Sequence, residues 1–247
     1  MVPNTPVDTG IELFGRRIQL PLLAGSIGSL RAQFHPEDDI RDYNRKCIEA
    51  CREEGVYQCF GDGLFDGVTE DAAEASKNSG GIGIPILTPF SQEEILKKIE
   101  LCKTGDPVAM GIVIDSAGLP HLKSRPDAGT KTPEQIRKLK AAVDCSFIVK
   151  GVLNTKCAEF AVDAGADAII VSNHGGRVLP GVPATAEVLP EIVEAVGGKA
   201  KIIVDGGIRS GYDIFKAIAL GADAVMICRP VLVSYYGGGT EGIRVYI

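Results

Sequence analysis

The chain has 247 residues, is 45% hydrophobic and carries a formal charge of −6, a length that suits one domain over 1–247 and the usual size of an eight-stranded α/β barrel. The mild acidity gives no reason to expect nucleic acid or an anionic membrane as a partner, and no apolar run approaches the roughly 18 residues that span a bilayer. The N-terminus lacks a basic-then-apolar signal pattern, and seven scattered cysteines with no CxxC pair read as reduced thiols of a cytoplasmic protein.

In chain order, the first candidate strand is 21–25, running into Gly25, Ser26 and Ile27. A helix carrying Cys47 and Cys51 on one face follows and should stop at Gly55; the two thiols lack further ligands, so no metal site is expected. Strand 56–60 leads to Asp62. The run Gly80-Gly81-Ile82-Gly83 precedes strand 82–87 rather than following one, so it is no dinucleotide fingerprint. Ser91-Gln92-Glu93-Glu94 and Thr132-Pro133-Glu134-Gln135 read as capping boxes, the second with proline in the first helical turn. The runs 110–115, 145–150, 168–172, 201–205 and 224–228 are apolar on both faces, as parallel strands covered by helices are. A last helix is expected to open near Thr240, which leaves it only one or two turns before Ile247. An unfinished helix uncovers apolar barrel surface, predicting a marginally stable or oligomeric protein.

The sequence also echoes itself. Ile148-Val149-Lys150-Gly151 leads through a helix to Gly165-Ala166-Asp167-Ala168, and Ile203-Val204-Asp205-Gly206 leads likewise to Gly221-Ala222-Asp223-Ala224. A recurring strand–helix–GADA–strand unit marks a βαβ array. Eight strands with interleaved helices predict an α/β fold of the TIM (β/α)8 type. A doubly wound open sheet is the alternative, and it lacks a clear switch point here.

In such barrels chemistry gathers at the C-terminal ends of the strands. Those ends carry Ser26, Asp62, Thr88, Asp115, Lys150, His174, Asp205 and Arg229. The run Ser172-Asn173-His174-Gly175-Gly176-Arg177 sets an imidazole and a guanidinium three residues apart in a glycine turn. A histidine moves protons near neutral pH, and an arginine grips a carboxylate with two parallel hydrogen bonds. Asp205-Gly206-Gly207-Ile208-Arg209 and Cys228-Arg229-Pro230 follow the seventh and eighth strands, where barrels commonly hold phosphate.

Together these motifs resemble the FMN-dependent α-hydroxy-acid oxidase and dehydrogenase family, which includes glycolate and lactate oxidases, most strongly over 147–242. The resemblance implies FMN as cofactor and a small 2-hydroxy acid oxidised to a 2-keto acid. It casts His174 as the base, Arg177 as the carboxylate clamp and Asp115 as the partner that holds the imidazole. Lys150 would meet the flavin N1 and C2 carbonyl, Ser172 would touch the ring, and Gly25, Ser26 and Ile27 would pass beside it. Asp205, Gly206, Gly207 and Arg209 would serve the ribityl chain and phosphate, with Cys228 and Arg229 closing the phosphate cup. A homo-oligomer is implied as well.

The chain departs from that pattern at several points. Val178 follows Arg177 where the oxidases carry glutamine, and the stretch 84–90 lacks their glutamine and tyrosine. The segment 116–120 lacks a second arginine, and the N-terminal segment bearing another tyrosine is missing. The substrate site is thereby less supported than the flavin site. A non-catalytic or substrate-divergent FMN-binding barrel, or another phosphate-binding barrel enzyme such as an isomerase, stands as the alternative.

Overall fold

The computed structural model describes residues 7–63, 65–122, 125 and 128–247. Its first strands, β1 (Ile11–Leu13) and β2 (Arg16–Ile18), form an antiparallel hairpin. Eight parallel strands then close into a barrel: β3 (Leu22–Ala24), β4 (Tyr57–Gly61), β5 (Gly83–Leu87), β6 (Ala109–Val113), β7 (Ser146–Val152), β8 (Ala168–Val171), β9 (Lys201–Asp205) and β10 (Ala224–Ile227), with β10 returning to pair with β3. The expected TIM barrel is the fold observed. Helices alternate with the strands: α1 (Ile40–Glu53), α2 (Val68–Asn78), α3 (Gln92–Lys103), α4 (Pro133–Lys140), α5 (Thr155–Asp163), α6 (Thr185–Val196), α7 (Gly211–Ala219) and α8 (Arg229–Tyr246).

Side chains alternate across each strand, so the barrel sorts its apolar residues into two cores. Leu23, Tyr57, Ile84, Ile86, Ile148, Ile170, Ile203 and Met226 pack together in one. Their immediate neighbours, such as Leu22, Ala24, Val149, Ile169 and Val204, join the helices in the other. The hairpin contributes Leu13 and Ile18 to the first core, and the Tyr57 hydroxyl donates to the Leu13 carbonyl at 2.9 Å. This hairpin was not foreseen from sequence.

The repeated GADA unit has a physical role. The Asp167 carboxylate accepts the backbone N–H of Phe147 at 2.7 Å, and Asp223 accepts that of Ile202 at 2.8 Å. Each aspartate thus ties the start of its own strand to the start of the preceding one. Lys140 and Lys201 pair with the same two carboxylates at 2.6 and 2.7 Å. Gly55, Gly165 and Gly221 follow the ends of α1, α5 and α7 at positive φ, as expected. The Thr132 capping box is complete. At α3 only half of the expected box forms, because Ser91 accepts from the Glu94 N–H while the Glu94 carboxylate pairs with Arg125.

One boundary differs from expectation. The last helix opens at Arg229, not near Thr240, and is interrupted at Gly238 and Gly239, whose backbone angles are non-helical. Proline in its first turn starts it, and the glycine run breaks it. The segment after the break packs on α1: Ile243 is fully buried, Thr240 bonds Glu49, and Arg244 pairs with Glu53 and Glu54. On the outer layer, Tyr212 and Phe215 of α7 and Val233 and Val245 of α8 are exposed.

Candidate active site

Inward-facing positions recur every second residue along a strand. After Ile148 and Ile203 the next such positions are Lys150 and Asp205, which puts a cation and an anion on adjacent levels of one barrel mouth. Their ends meet: Lys150 Nζ lies 2.9 Å from Asp205 Oδ2, with both side chains almost fully buried. Lys150 also donates to Ser172 Oγ at 2.7 Å. Burial alone would drive the Lys150 ammonium down, but the Asp205 and Asp115 carboxylates outweigh it and hold its pKa above the ordinary lysine value. The second oxygen of Asp205, Oδ1, is buried and bonds no protein group.

Just past β8 the chain turns sharply. Asn173 accepts the Gly175 N–H through its side chain, and His174 adopts a φ of 55°, a left-handed conformation uncommon outside glycine. The Ser172 hydroxyl accepts the His174 backbone N–H at 3.1 Å. The imidazole is fixed from the other side, since His174 Nδ1 sits 3.0 Å from Asp115 Oδ1. Asp115 lies two residues past the end of β6, slightly beyond the strand rather than within it. Its room comes from Gly151, where β7 bulges against β8 and φ is 99°; a Cβ there would stand 2.7 Å from Asp115 Cγ. With the carboxylate accepting from Nδ1–H, the Nε2 lone pair is left for other partners.

Arg177 stands at the rim, where its Nη2 donates to Gln33 Oε1 at 2.8 Å. Partial burial, then the like charge of Arg229, lower its pKa below the usual arginine value. Arg229 itself reaches the glycine turn, as a Cβ on Gly175 would meet its guanidinium at 2.5 Å. Two guanidinium groups therefore share one side of the mouth.

All of this surrounds a single cavity of about 430 Å³. Ser26, Ile27, Lys150, His174 and Arg177 line it, as do Asp205, Gly206, Gly207, Arg209, Cys228 and Arg229. Gly25, Ser172 and Asp115 stand one contact behind: a Cβ on Gly25 would collide with Cys228 Sγ, while Ser172 and Asp115 hold Lys150 and His174. Burial raises the Cys228 thiol to about 12, so it remains protonated. The two helices that begin here differ. The Asp213 carboxylate satisfies the Arg209 and Ser210 N–H groups at the start of α7. Cys228 gives α8 no side-chain cap, and Cys228, Arg229 and Pro230 at that helix start line the cavity.

Sequence reasoning did not anticipate Gln33, Phe34, Leu119 and Leu122, which complete the lining from two loops. No periodicity or motif marks those positions. Among the described residues no group of histidine, cysteine, aspartate and glutamate is arranged to hold a metal, and no helix is long and apolar enough to cross a membrane.

Comparison with known proteins agrees with this fold. Residues 118–247 match the model of the FMN-dependent dehydrogenase family. The chain is 31% identical to 4-hydroxymandelate oxidase from Amycolatopsis orientalis over 97% of its own length and 75% of that protein. It is 48% identical to L-lactate oxidase from Lactobacillus jensenii over a shorter stretch, 45% of this chain and 28% of the other. The crystal structure of mandelate oxidase superposes with a TM-score of 0.84 at 32% identity, covering 98% of this chain and 74% of that one. The chain belongs to the FMN-dependent dehydrogenase family and is a flavin-dependent oxidoreductase built on a TIM barrel.

Proposed function

We propose that the chain oxidises a small 2-hydroxy acid to the corresponding 2-keto acid, with His174 as base and Arg177 as the carboxylate-binding group. The observation that carries this reading is that His174, backed by Asp115, lines the same cavity as Arg177 and Lys150. The names of the relatives, 4-hydroxymandelate oxidase and L-lactate oxidase, are those of oxidases of 2-hydroxy acids.

The residues present fit FMN. An uncapped helix start, the Gly206-Gly207 turn and two nearby arginines suit a phosphate, and the unpartnered Asp205 oxygen suits a ribityl hydroxyl. Arg209, Cys228 and Arg229 would enclose the phosphate, and Gly25, Ser26, Ile27 and Ser172 would border the ring. When bound, FMN supplies the acceptor for the two electrons that leave the substrate. Lys150, buried and cationic, is placed to stabilise the negative charge that accompanies that transfer.

Arg177 orients the substrate through its carboxylate, which requires that Gln33 yield or share the guanidinium. His174 Nε2 takes one proton, and the imidazolium so formed is stabilised by Asp115 at 3.0 Å. Anaerobic mixing of the flavin-loaded protein with 2-hydroxy acids tests the reading. Bleaching of the flavin by such an acid, and its loss in H174Q, is the expected result. Bleaching by dithionite alone would mean a barrel that binds FMN without turning over hydroxy acids.

A further inference from the structure

One wall of the cavity carries a polar arrangement that the reaction just described does not use. Asp62, past the end of β4, is 2% exposed. Thr88, past the end of β5, donates its hydroxyl hydrogen to Asp62 Oδ1 at 2.7 Å. Lys98 of α3 donates to Asp62 Oδ2, also at 2.7 Å, and lies over the Phe90 ring at 4.7 Å. Asp62 and Thr88 line the cavity together with His174 and Arg177. The same lining also contains the apolar side chains Ile86, Val113, Leu119 and Leu122.

A buried carboxylate is costly unless it is paired and hydrogen-bonded, and packing alone does not call for one here. Its pairing also fixes what this wall offers a ligand. The one hydroxyl hydrogen of Thr88 is committed to Asp62, so the Thr88 oxygen presents only lone pairs. The Asp62 carboxylate likewise only accepts. Lys98 is directed at Asp62 and does not line the cavity. These two side chains therefore accept hydrogen bonds from a ligand and donate none. Because Lys98 already balances the Asp62 charge, a neutral donor matches it better than a second cation.

We propose that Thr88, oriented by Asp62, selects 2-hydroxy acids that carry a second hydroxyl on their side chain. Thr88 Oγ1 accepts that hydroxyl's hydrogen, and Asp62 is a positioning residue acting through Thr88. The proposal rests on the function proposed above. A site built to bond a substrate hydroxyl discriminates strongly against the analogue that lacks it, whereas an apolar pocket does not.

Glycerate and lactate share a carbon skeleton and differ by one hydroxyl, so they form the test pair. With the FMN-loaded enzyme under anaerobic conditions, flavin bleaching should give a kcat/KM for glycerate at least about 10-fold above that for lactate. T88V should bring the ratio towards one, T88S should keep it, and D62A should lower it mainly by raising KM for glycerate. A merely structural defect slows both acids alike and leaves their ratio unchanged. Equal turnover of the two acids by the native enzyme, or an undiminished ratio in T88V, overturns the proposal. Calorimetric titration of the same acids into FMN-loaded H174Q separates this failure from that of the oxidation reading. Tighter glycerate binding without any bleaching in the native enzyme keeps the selection and discards the oxidation; binding of neither acid discards both.

Discussion

Asp115 and His174 are 59 residues apart in the chain and 3.0 Å apart in the site. They come from different loops, and what fixes their distance is the barrel that brings the ends of β6 and β8 to one mouth. A carboxylate that accepts from Nδ1–H would hold the imidazole in the tautomer whose Nε2 is free to accept a proton, as the proposed reaction requires. D115N replaces a pure acceptor with an amide that is able to stabilise the wrong tautomer. We expect kcat to fall by about 10²- to 10⁴-fold with the bound-flavin spectrum retained. An unchanged kcat would remove Asp115 from the mechanism.

The bond from Arg177 to Gln33 makes a second prediction. Gln33 occupies one of the guanidinium donors that a substrate carboxylate would need in the proposed reaction. Q33A should therefore lower KM for a 2-hydroxy acid by a few-fold, while R177K, which loses the two-pronged grip, should raise it by about 10- to 100-fold. A rise in KM for Q33A would instead make Gln33 a substrate ligand. Steady-state kinetics on the two variants decide the matter.

A close contact supports the third. A Cβ at residue 25 would fall on Cys228 Sγ and stand 3.0 Å from Met226 Cγ. G25A should cost about 1–3 kcal/mol of stability, the usual penalty for overpacking. Adding C228A should restore part of that loss, because the two sites share one contact. Urea unfolding midpoints of the single and double variants measure it, and equal midpoints would refute the contact.

Acid stability gives the fourth. Asp39 caps α1 by accepting the Arg41 N–H, and the Arg41 side chain bonded to its carboxylate lowers its pKa from 3.8 to about 2. A depressed carboxylate stabilises the fold above its unfolded value and loses that contribution as pH falls through the folded one. The gain is thus complete above about 3.8 and disappears towards 2. D39N keeps a capping oxygen but does not titrate, so the native-minus-variant difference in melting temperature should shrink over that window. The side chain is 35% exposed, and added salt should reduce the effect.

Much of this was readable before folding, for identifiable reasons. Runs such as 168–172 and 201–205 stand out because parallel strands are buried on both faces. Rules about strand ends then placed Ser26, Lys150, His174, Asp205 and Arg229 on one mouth, and all five line the cavity. The hairpin escaped notice because its strands are only three residues each, too short for alternation to register. The early start of α8 was hidden by the glycines at 237–239, which read as a gap before a helix rather than a break within one. Gln33 and Phe34 reach the site from a loop whose composition resembles any polar connection. The nearness of Gln33 to Arg177 is a property of the closed barrel, not of its neighbours in the chain.

The buried ion pair has an implication for how the two repeated units relate. Lys150 and Asp205 hold the same place in their respective copies, each third in its motif and each followed by a glycine at positive φ. Had both copies kept one residue there, two like charges would now face each other inside the barrel. Opposite charges at matching sites make the copies complementary instead of interchangeable. One copy carries His174 and Arg177 in the turn after its closing strand, and the other carries the Gly206-Gly207 turn after its opening strand. Exchanging K150D with D205K preserves the attraction but moves the cation to the other copy, so the fold should outlast the flavin site.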